Sequence, residues 1–252
     1  MTADGGTSQV VLITGASGGI GREAVRAFMD RGDVVVGADR AAPDDAEGLA
    51  SFIQLDVTDE RACADAVARV IADHGRLDVL VHAAGVLGTT PDPLRTSTAE
   101  FDEIMRINGS SSFTMAREAA NAMLAGGIKG SILLISSVAA KEGRRDYLPY
   151  NASKVAVLHM VWSFAMILGT SGISVNAVAP GPVDTAMWAQ KADDSGAAAA
   201  ARAARAAELP MRRFAQPREV VQAILFLTDP ANRYLTGVSL DVAGGAHLGM
   251  GS

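Results

Sequence analysis

The fold this 252-residue chain predicts is a doubly wound α/β sheet of about seven parallel strands, with helices on both faces, in a single domain covering residues 1–252. Three observations carry that reading. Short runs rich in Val, Ile and Leu alternate with longer helix-like segments. The runs are apolar throughout instead of alternating with polar residues, as strands covered on both faces must be. No linker-like composition or internal repeat divides the chain, and 49% apolar with 20% charged residues suits one large core.

The strands are predicted at Val10–Thr14, Val34–Ala38, Ser51–Leu55, Val79–His82, Ser131–Ile135, Ser174–Val178 and Ser239–Val242. Helices are predicted after Gly19, over Arg61–Ala72, over Ala99–Ala125, from Tyr150 to Leu168 and over Pro217–Leu227, with Gly75, Gly126 and Gly169 as terminators. Ala189–Glu208 is an alanine-rich stretch that favours helix but has little bulk to bury, so a lid helix and a solvated surface helix both fit it.

Charge and cysteine content exclude some functions. A net charge of −6 with scattered arginines offers no basic surface for a phosphate backbone, so nucleic acid is not an expected partner. The one cysteine, Cys63, permits no internal disulfide and reads as a buried, inert thiol. Met1–Gln9 is short, polar and reads as a flexible terminus without a signal-peptide pattern, and no apolar run approaches the length of a membrane span. Together these predict a soluble, cytoplasmic protein that contacts no membrane.

The first strand runs into Thr14-Gly15-Ala16-Ser17-Gly18-Gly19-Ile20-Gly21 and then into a helix. Glycines there permit a tight turn and bring backbone N–H groups close to a pyrophosphate at the positive end of the helix. The second strand ends at Asp39, about twenty residues on, where a carboxylate can accept both adenosine-ribose hydroxyls. A 2′-phosphate near Asp39 would meet a repulsion of about 1–4 kcal/mol at intermediate dielectric, which favours NAD over NADP. Arg40 works the other way, since a guanidinium can welcome that phosphate. Asp56-Val57 follows the third strand near the expected adenine edge, and Ala83-Ala84-Gly85 follows the fourth with residues small enough for close ligand approach; both also read as ordinary loop chemistry.

Tyr150 and Lys154 stand one helical turn apart and share a face. A phenol with a pKa near 10 is a poor acid–base catalyst at neutral pH, and shifting it by about three units takes roughly 4 kcal/mol. A neighbouring ammonium supplies part of that. Ser136-Ser137 closes the fifth strand, where a hydroxyl can either hold a substrate oxygen opposite Tyr150 or cap its own turn. The histidines His74, His82, His159 and His247 show no metal-ligand spacing, and no metal is expected.

Taken together, Thr14–Gly21, Asp39, Asp56, Asn108, Ser137, Tyr150 with Lys154, and Asn176-Ala177-Val178-Ala179-Pro180-Gly181 resemble the short-chain dehydrogenase/reductase family over essentially the whole chain. The resemblance implies a Rossmann-type sheet and an oxidoreductase acting on CH–OH groups. It implies that Tyr150 is the general acid/base, that Lys154 lowers its pKa and holds the nicotinamide ribose, that Ser137 orients the substrate oxygen and that Asn108 holds a relay water. It places the cofactor against Gly15, Ser17, Gly18, Gly19, Ile20, Gly21, Asp39, Arg40, Asp56, Val57, Ala83, Ala84, Gly85, Tyr150, Lys154, Pro180, Gly181, Val183 and Thr185. Met187–Glu208 becomes the substrate lid, and Val138, Tyr147, Pro182, Met187 and Trp188 become pocket walls, with Leu87 nearby. Tyr147 is no rival acid/base, because no lysine stands four residues after it.

Two positions depart from the family pattern. His82-Ala83 stands where a pair of asparagines is usual, and Ser111 where glycine is frequent. His82 reads as a packed structural histidine. Arg144 and Arg145 could attract an acidic substrate, but the ordinary place for such side chains is solvent.

The function expected is NAD-linked interconversion of a secondary alcohol (polyol, sugar, hydroxysteroid or similar) and its ketone. The alternatives are a 3-oxoacyl-thioester reductase and, from another class, a non-catalytic nucleotide-binding sensor or scaffold. The resemblance also implies a homotetramer, to which the apolar residues Val155, Leu158, Trp162 and Ile167 could contribute.

Overall fold

The computed structural model describes residues 8–42, 48–189 and 197–248. Seven strands, β1 (Val10–Thr14), β2 (Val34–Asp39), β3 (Ser51–Gln54), β4 (Val79–His82), β5 (Ser131–Ile135), β6 (Ser174–Pro180) and β7 (Ser239–Val242), form one sheet in the order β3-β2-β1-β4-β5-β6-β7. Every pairing is parallel. The predicted strands are all present, and two run further than expected: pairing of Asp39 with Gln54 extends β2, and pairing of Pro180 with Val242 extends β6.

Residue-by-residue alternation explains why these strands read as unbroken apolar runs. Leu12, Val36, Leu80, Ile132, Leu134 and Val175 pack on one face of the sheet, under α2 (Glu60–His74), α4 (Ser111–Ala125) and α5 (Leu148–Leu168). Val11, Ile13, Val35, Val79, Val81, Leu133 and Val178 pack on the other, under α1 (Gly19–Asp30) and α8 (Pro217–Thr228). Water is excluded from both faces, so neither set of positions tolerates a polar residue without a partner.

The single helix predicted over Ala99–Ala125 is instead α3 (Thr98–Ile104), a wider π turn at Met105–Ser110, and then α4. Ser111 and Ser112 donate their hydroxyls to the carbonyls of Ile107 and Asn108 four residues back, which supports the widened turn. Gly75 ends α2 in a left-handed conformation, as predicted. Gly126 and Gly169 cap α4 and α5 as expected, with right-handed backbones, and the left-handed reversals follow at Gly127 and Gly172.

Residues 1–7 of the terminus read as flexible lie outside the described residues. Gln9 is not loose: it is buried, its N–H donates to Asp33 at 3.0 Å and its carbonyl accepts from Val34 at 2.9 Å. Within the alanine-rich stretch, α6 (Ala186–Ala189) and α7 (Ala197–Ala207) are helical, and Arg202 of α7 pairs with Asp184 and lies over the Phe214 ring. The segment is therefore anchored at one point, which a freely solvated helix would not be.

Length and composition alone would let Leu148–Ser171 cross a membrane, at a mean hydropathy of 1.5, contrary to the expectation from the sequence. Here it is the helix that packs Val157, Val161, Ala165 and Leu168 into the core.

Candidate active site

In a doubly wound sheet, ligands bind beyond the carboxyl ends of the strands, where the strand order reverses. That point lies between β1 and β4, and a cleft of about 1030 Å³ opens there. One end of it is formed by Gly15, Gly18–Gly21 and Asp39, the floor by Ala83–Gly85, and the other end by Tyr147, Tyr150, Lys154 and Met187. Arg40, Asp56, Val57, Leu87, Pro180, Gly181, Val183 and Thr185 also line it. The sequence-predicted cofactor residues thus converge on one cavity, with one exception.

The exception is Ser17. Its hydroxyl donates to Ala41 at 2.7 Å and its N–H to Asp39 at 3.0 Å, so it ties the glycine turn to the end of β2 and does not line the cleft.

The glycine turn fits a diphosphate by its own geometry. α2, α3 and α8 each cap their first turn with a side chain, whereas α1 has no side-chain cap and no acidic residue in its first turn, and Gly19, Ile20 and Gly21 face the cleft. Uncapped N–H groups at the positive end of a twelve-residue helix are a ready site for an anion. Asp39 is held in place by the N–H groups of Ser17 and, at 2.7 Å, Arg40, one on each oxygen. Asp56 accepts from the N–H and hydroxyl of Thr58, which hold its carboxyl below the usual range.

At the far end, α5 presents Tyr150 and Lys154 on one face. The Ser137 hydroxyl acts on the Tyr150 phenol, pulling it down, while it donates to the Pro180 carbonyl at 3.5 Å and caps its own short turn, accepting from Ala139 N–H at 3.2 Å. Of the two roles that the sequence left open for Ser137, the turn cap is present. Ser136 touches the cleft, but its hydroxyl is committed to the Lys154 carbonyl at 3.0 Å.

The Lys154 ammonium donates to the Ile135 carbonyl at 2.9 Å and lies 5.6 Å from the centre of the Tyr150 ring. Burial pushes the Tyr150 phenol up, opposed by the Ser137 hydrogen bond and the Arg144 charge. Burial pulls Lys154 down from 10.5 to about 8, so at neutral pH the ammonium is largely retained.

That depression predicts a pH dependence of stability. Between pH 8 and 10.5 the unfolded chain binds the Lys154 proton and the folded chain does not, so stability rises with pH through that window. Lys154→Met removes this rise, worth about 3 kcal/mol when complete. The check is the difference between wild-type and variant denaturant midpoints at pH 7.5 and pH 10.

Asn108 is fully buried and its side chain does not line the cleft. Its Oδ1 accepts from Val86 N–H at 2.8 Å, and its Nδ2 donates to the Val86 carbonyl at 2.9 Å and to Ser153 Oγ at 3.0 Å. Both amide donors and one lone pair of Oδ1 are thus used, and the Asn108 backbone carbonyl accepts the Ser112 hydroxyl at 2.6 Å, which leaves it a second lone pair. The serine-rich run Asn108-Gly109-Ser110-Ser111-Ser112 inside a helical pattern was the sequence signal for this turn.

Two predicted pocket walls are placed elsewhere. Val138 packs into a small cluster with Ala179 and Ala243, and Pro182 is buried with its carbonyl accepting from Ala215. The side chain of Trp188 lies outside the described residues. Tyr147 and Met187 do line the cleft. Tyr147 holds a left-handed backbone (φ 52°) unusual for a bulky residue, pinned by its N–H bond to the Pro91 carbonyl at 3.0 Å.

Solvent holds only Arg145. The Arg144 side chain is 20% exposed, pairs with Glu142, and its charge acts on Tyr150. Sequence reasoning also missed Glu100, which lines the cleft and accepts four hydrogen bonds from Thr89 and Thr90, holding its carboxyl down at about 2 and fixing the loop after β4. Among the described residues, no group of three His, Cys, Asp or Glu side chains is placed to hold a metal.

Residues 15–247 match a protein-family model described as Enoyl-(Acyl carrier protein) reductase. The chain is 36% identical to cis-4-hydroxycyclohexanecarboxylate dehydrogenase of Sinomonas cyclohexanicum, over 94% of this chain and 96% of that protein. Its structure resembles ligand-free aldohexose dehydrogenase of Thermoplasma acidophilum, with a TM-score of 0.89 and 28% identity over 97% of this chain and 96% of the other. It also resembles ElxO with NADP bound, with a TM-score of 0.86 and 29% identity over 95% of this chain and 99% of the other. With an uncapped glycine turn at one end of its cleft and a tyrosine–lysine pair at the other, the chain belongs to the short-chain dehydrogenase/reductase family of nicotinamide-dependent oxidoreductases.

Proposed function

We propose that this protein is an NAD(H)-dependent dehydrogenase that interconverts a secondary alcohol and its ketone. The observation that carries the reading is the Tyr150 phenol held against the Ser137 hydroxyl in the same cleft as the glycine turn. When bound, the nicotinamide supplies the acceptor or donor of hydride. Ser137 holds the substrate oxygen, Tyr150 takes the hydroxyl proton as the carbinol carbon gives up hydride and the C=O bond forms, and the Lys154 ammonium stabilises the phenolate. A water on the Asn108 carbonyl then relays the proton outward.

Asp39 supports NAD, because a carboxylate lining the cleft at the end of β2 would repel a 2′-phosphate on the adenosine ribose. Arg40 beside it and the NADP bound to ElxO keep the phosphorylated dinucleotide as the second cofactor to assay. Among secondary alcohols (polyols, sugars, hydroxysteroids and the like), we place first a ring alcohol bearing a carboxylate. The relative named for such a substrate supports this, as does the half-buried guanidinium of Arg144, whose charge acts on Tyr150. Aldohexoses come next. A relative 33% identical over 94% of this chain, a 3-oxoacyl-[acyl-carrier-protein] reductase of Thermotoga maritima, supports 3-oxoacyl-thioester reduction as the second reading.

The test is absorbance at 340 nm with NAD+ and NADP+ in parallel. The alcohols are cis-4-hydroxycyclohexanecarboxylate, aldohexoses, polyols, hydroxysteroids and 3-hydroxyacyl thioesters. Turnover of one class with NAD+ supports the reading and names the substrate. Tight NADH binding without turnover of any of them overturns it in favour of a nucleotide-binding sensor or scaffold.

We further propose a cytoplasmic homotetramer with no nucleic-acid or membrane partner. Of the residues the sequence offered for the contact, Leu158 is core, while Val155, Trp162 and Ile167 are exposed beside Met166 on α5. Light scattering at micromolar concentration is expected to read a tetramer, and a stable monomer overturns this.

A further inference from the structure

His82 is almost completely buried at the end of β4, 1% exposed, with a polar partner on each ring nitrogen. Its Nδ1 is 2.7 Å from the Thr14 hydroxyl at the end of β1, and its Nε2 is 3.0 Å from the Ser111 hydroxyl at the start of α4. The proton positions follow from the partners. Ser111 donates to the Ile107 carbonyl, which can only accept, so Ser111 Oγ must accept from Nε2–H. Nδ1 is then the acceptor of the Thr14 hydroxyl. The imidazole is neutral, in keeping with burial and the Lys154 charge, which hold its pKa down at about 3.

The contacts continue to the reaction centre without a break. The π turn that receives Nε2 through Ser111 and Ile107 carries Asn108. Asn108 holds both backbone polar groups of Val86 and donates to Ser153, whose hydroxyl donates to the Tyr150 carbonyl at 2.7 Å. Thr14, Ser111, Asn108 and Ser153 are all buried, so none has water as an alternative partner.

The two departures from the family pattern thus meet each other: the histidine at position 82 reaches the hydroxyl that a glycine at position 111 would lack.

Resting on the proposed function, we propose that His82, as a neutral Nε2–H imidazole clamped between Thr14 and Ser111, is a positioning residue that fixes the Asn108 turn and through it the first two turns of α5, which carry Tyr150 and Lys154. It does not touch substrate and transfers no proton.

The test uses Thr14→Val, which is nearly isosteric and removes only the hydroxyl, Ser111→Ala, and Thr14→Ser as the conservative restoration. Hydrogen exchange is read by mass spectrometry on the full-length protein, with and without NADH. Each of the first two variants leaves one buried imidazole nitrogen unpaired, and exchange in the peptide containing Asn151–Lys154 is expected to rise by about tenfold or more, returning to wild type in Thr14→Ser. The double variant is expected to be less damaging than the two effects combined, since both break one bridge. Where the assays above identify a substrate, kcat falls with the exchange effect while NADH affinity stays within about twofold. Faster exchange confined to β1 and β4, with α5 unchanged, overturns the proposal and leaves His82 as packing. The exchange readout stands even if no substrate is turned over, so failure of this inference is separable from failure of the proposed function.

Discussion

Tyr150→Phe is expected to lower kcat by about three orders of magnitude, within the range general acid–base catalysis contributes, while leaving NADH binding within a few-fold of wild type. Removing one oxygen takes away the proton acceptor and leaves Ser137 without its phenol partner. The ring remains to fill its place on α5, and Lys154 keeps its bond to the Ile135 carbonyl, so the fold and the ribose end of the cleft persist. A steady-state assay on the substrate that the wild type turns over, with a fluorescence titration of NADH alongside, reads both quantities. Undiminished turnover in this variant would remove Tyr150 from the chemistry and with it the mechanism.

Gly21→Ala is expected to abolish measurable dinucleotide binding by a different route. A Cβ on Gly21 would stand 2.0 Å from the Gly15 carbonyl oxygen and 2.7 Å from its carbon, both backbone atoms that no side-chain rotation can move aside. The turn must open, and the uncapped N–H groups of α1 lose their aim. Overpacking of this kind costs about 1–3 kcal/mol. At this chain length each kcal/mol is worth about 2–4 °C in Tm. Gly169→Ala is the matched control, since its Cβ would meet nothing within 4 Å. Thermal melts and NADH titration of the two variants should separate sharply, and retention of NADH affinity in Gly21→Ala would show that the turn does not grip the diphosphate.

Most of the framework could be read along the chain because it depends on local periodicity. Apolar runs covered on both faces, the glycine turn between β1 and α1, and Tyr150 one helical turn from Lys154 are each contained within a few consecutive residues. Their order also fixed the function class, since the motifs stand at family spacing. The misreadings arose where a residue's role depends on a distant partner. Ser17 looked like a cofactor contact until its hydroxyl was found on Ala41, and the amide of Asn108, read from the resemblance as the holder of a relay water, was found holding Val86 and Ser153. Val138 and Pro182 follow catalytic motifs closely in sequence, yet neighbouring strands and loops bury them away from the cleft. The long helix over Ala99–Ala125 is present, but its middle is a widened turn in which the polar run hydrogen-bonds, a detail that apolar periodicity does not carry.

What this sequence determined by itself is the sheet, the glycine turn and the catalytic pair, because strand burial, tight turns and same-face spacing are properties of short stretches of chain. Only the tertiary structure decided that Arg144 is drawn toward the site while Arg145 stays in water, and that His82 and Ser111 are partners. The partners in these pairs lie up to 29 residues apart, and a buried polar group takes its role from whichever partner the fold brings within hydrogen-bond reach.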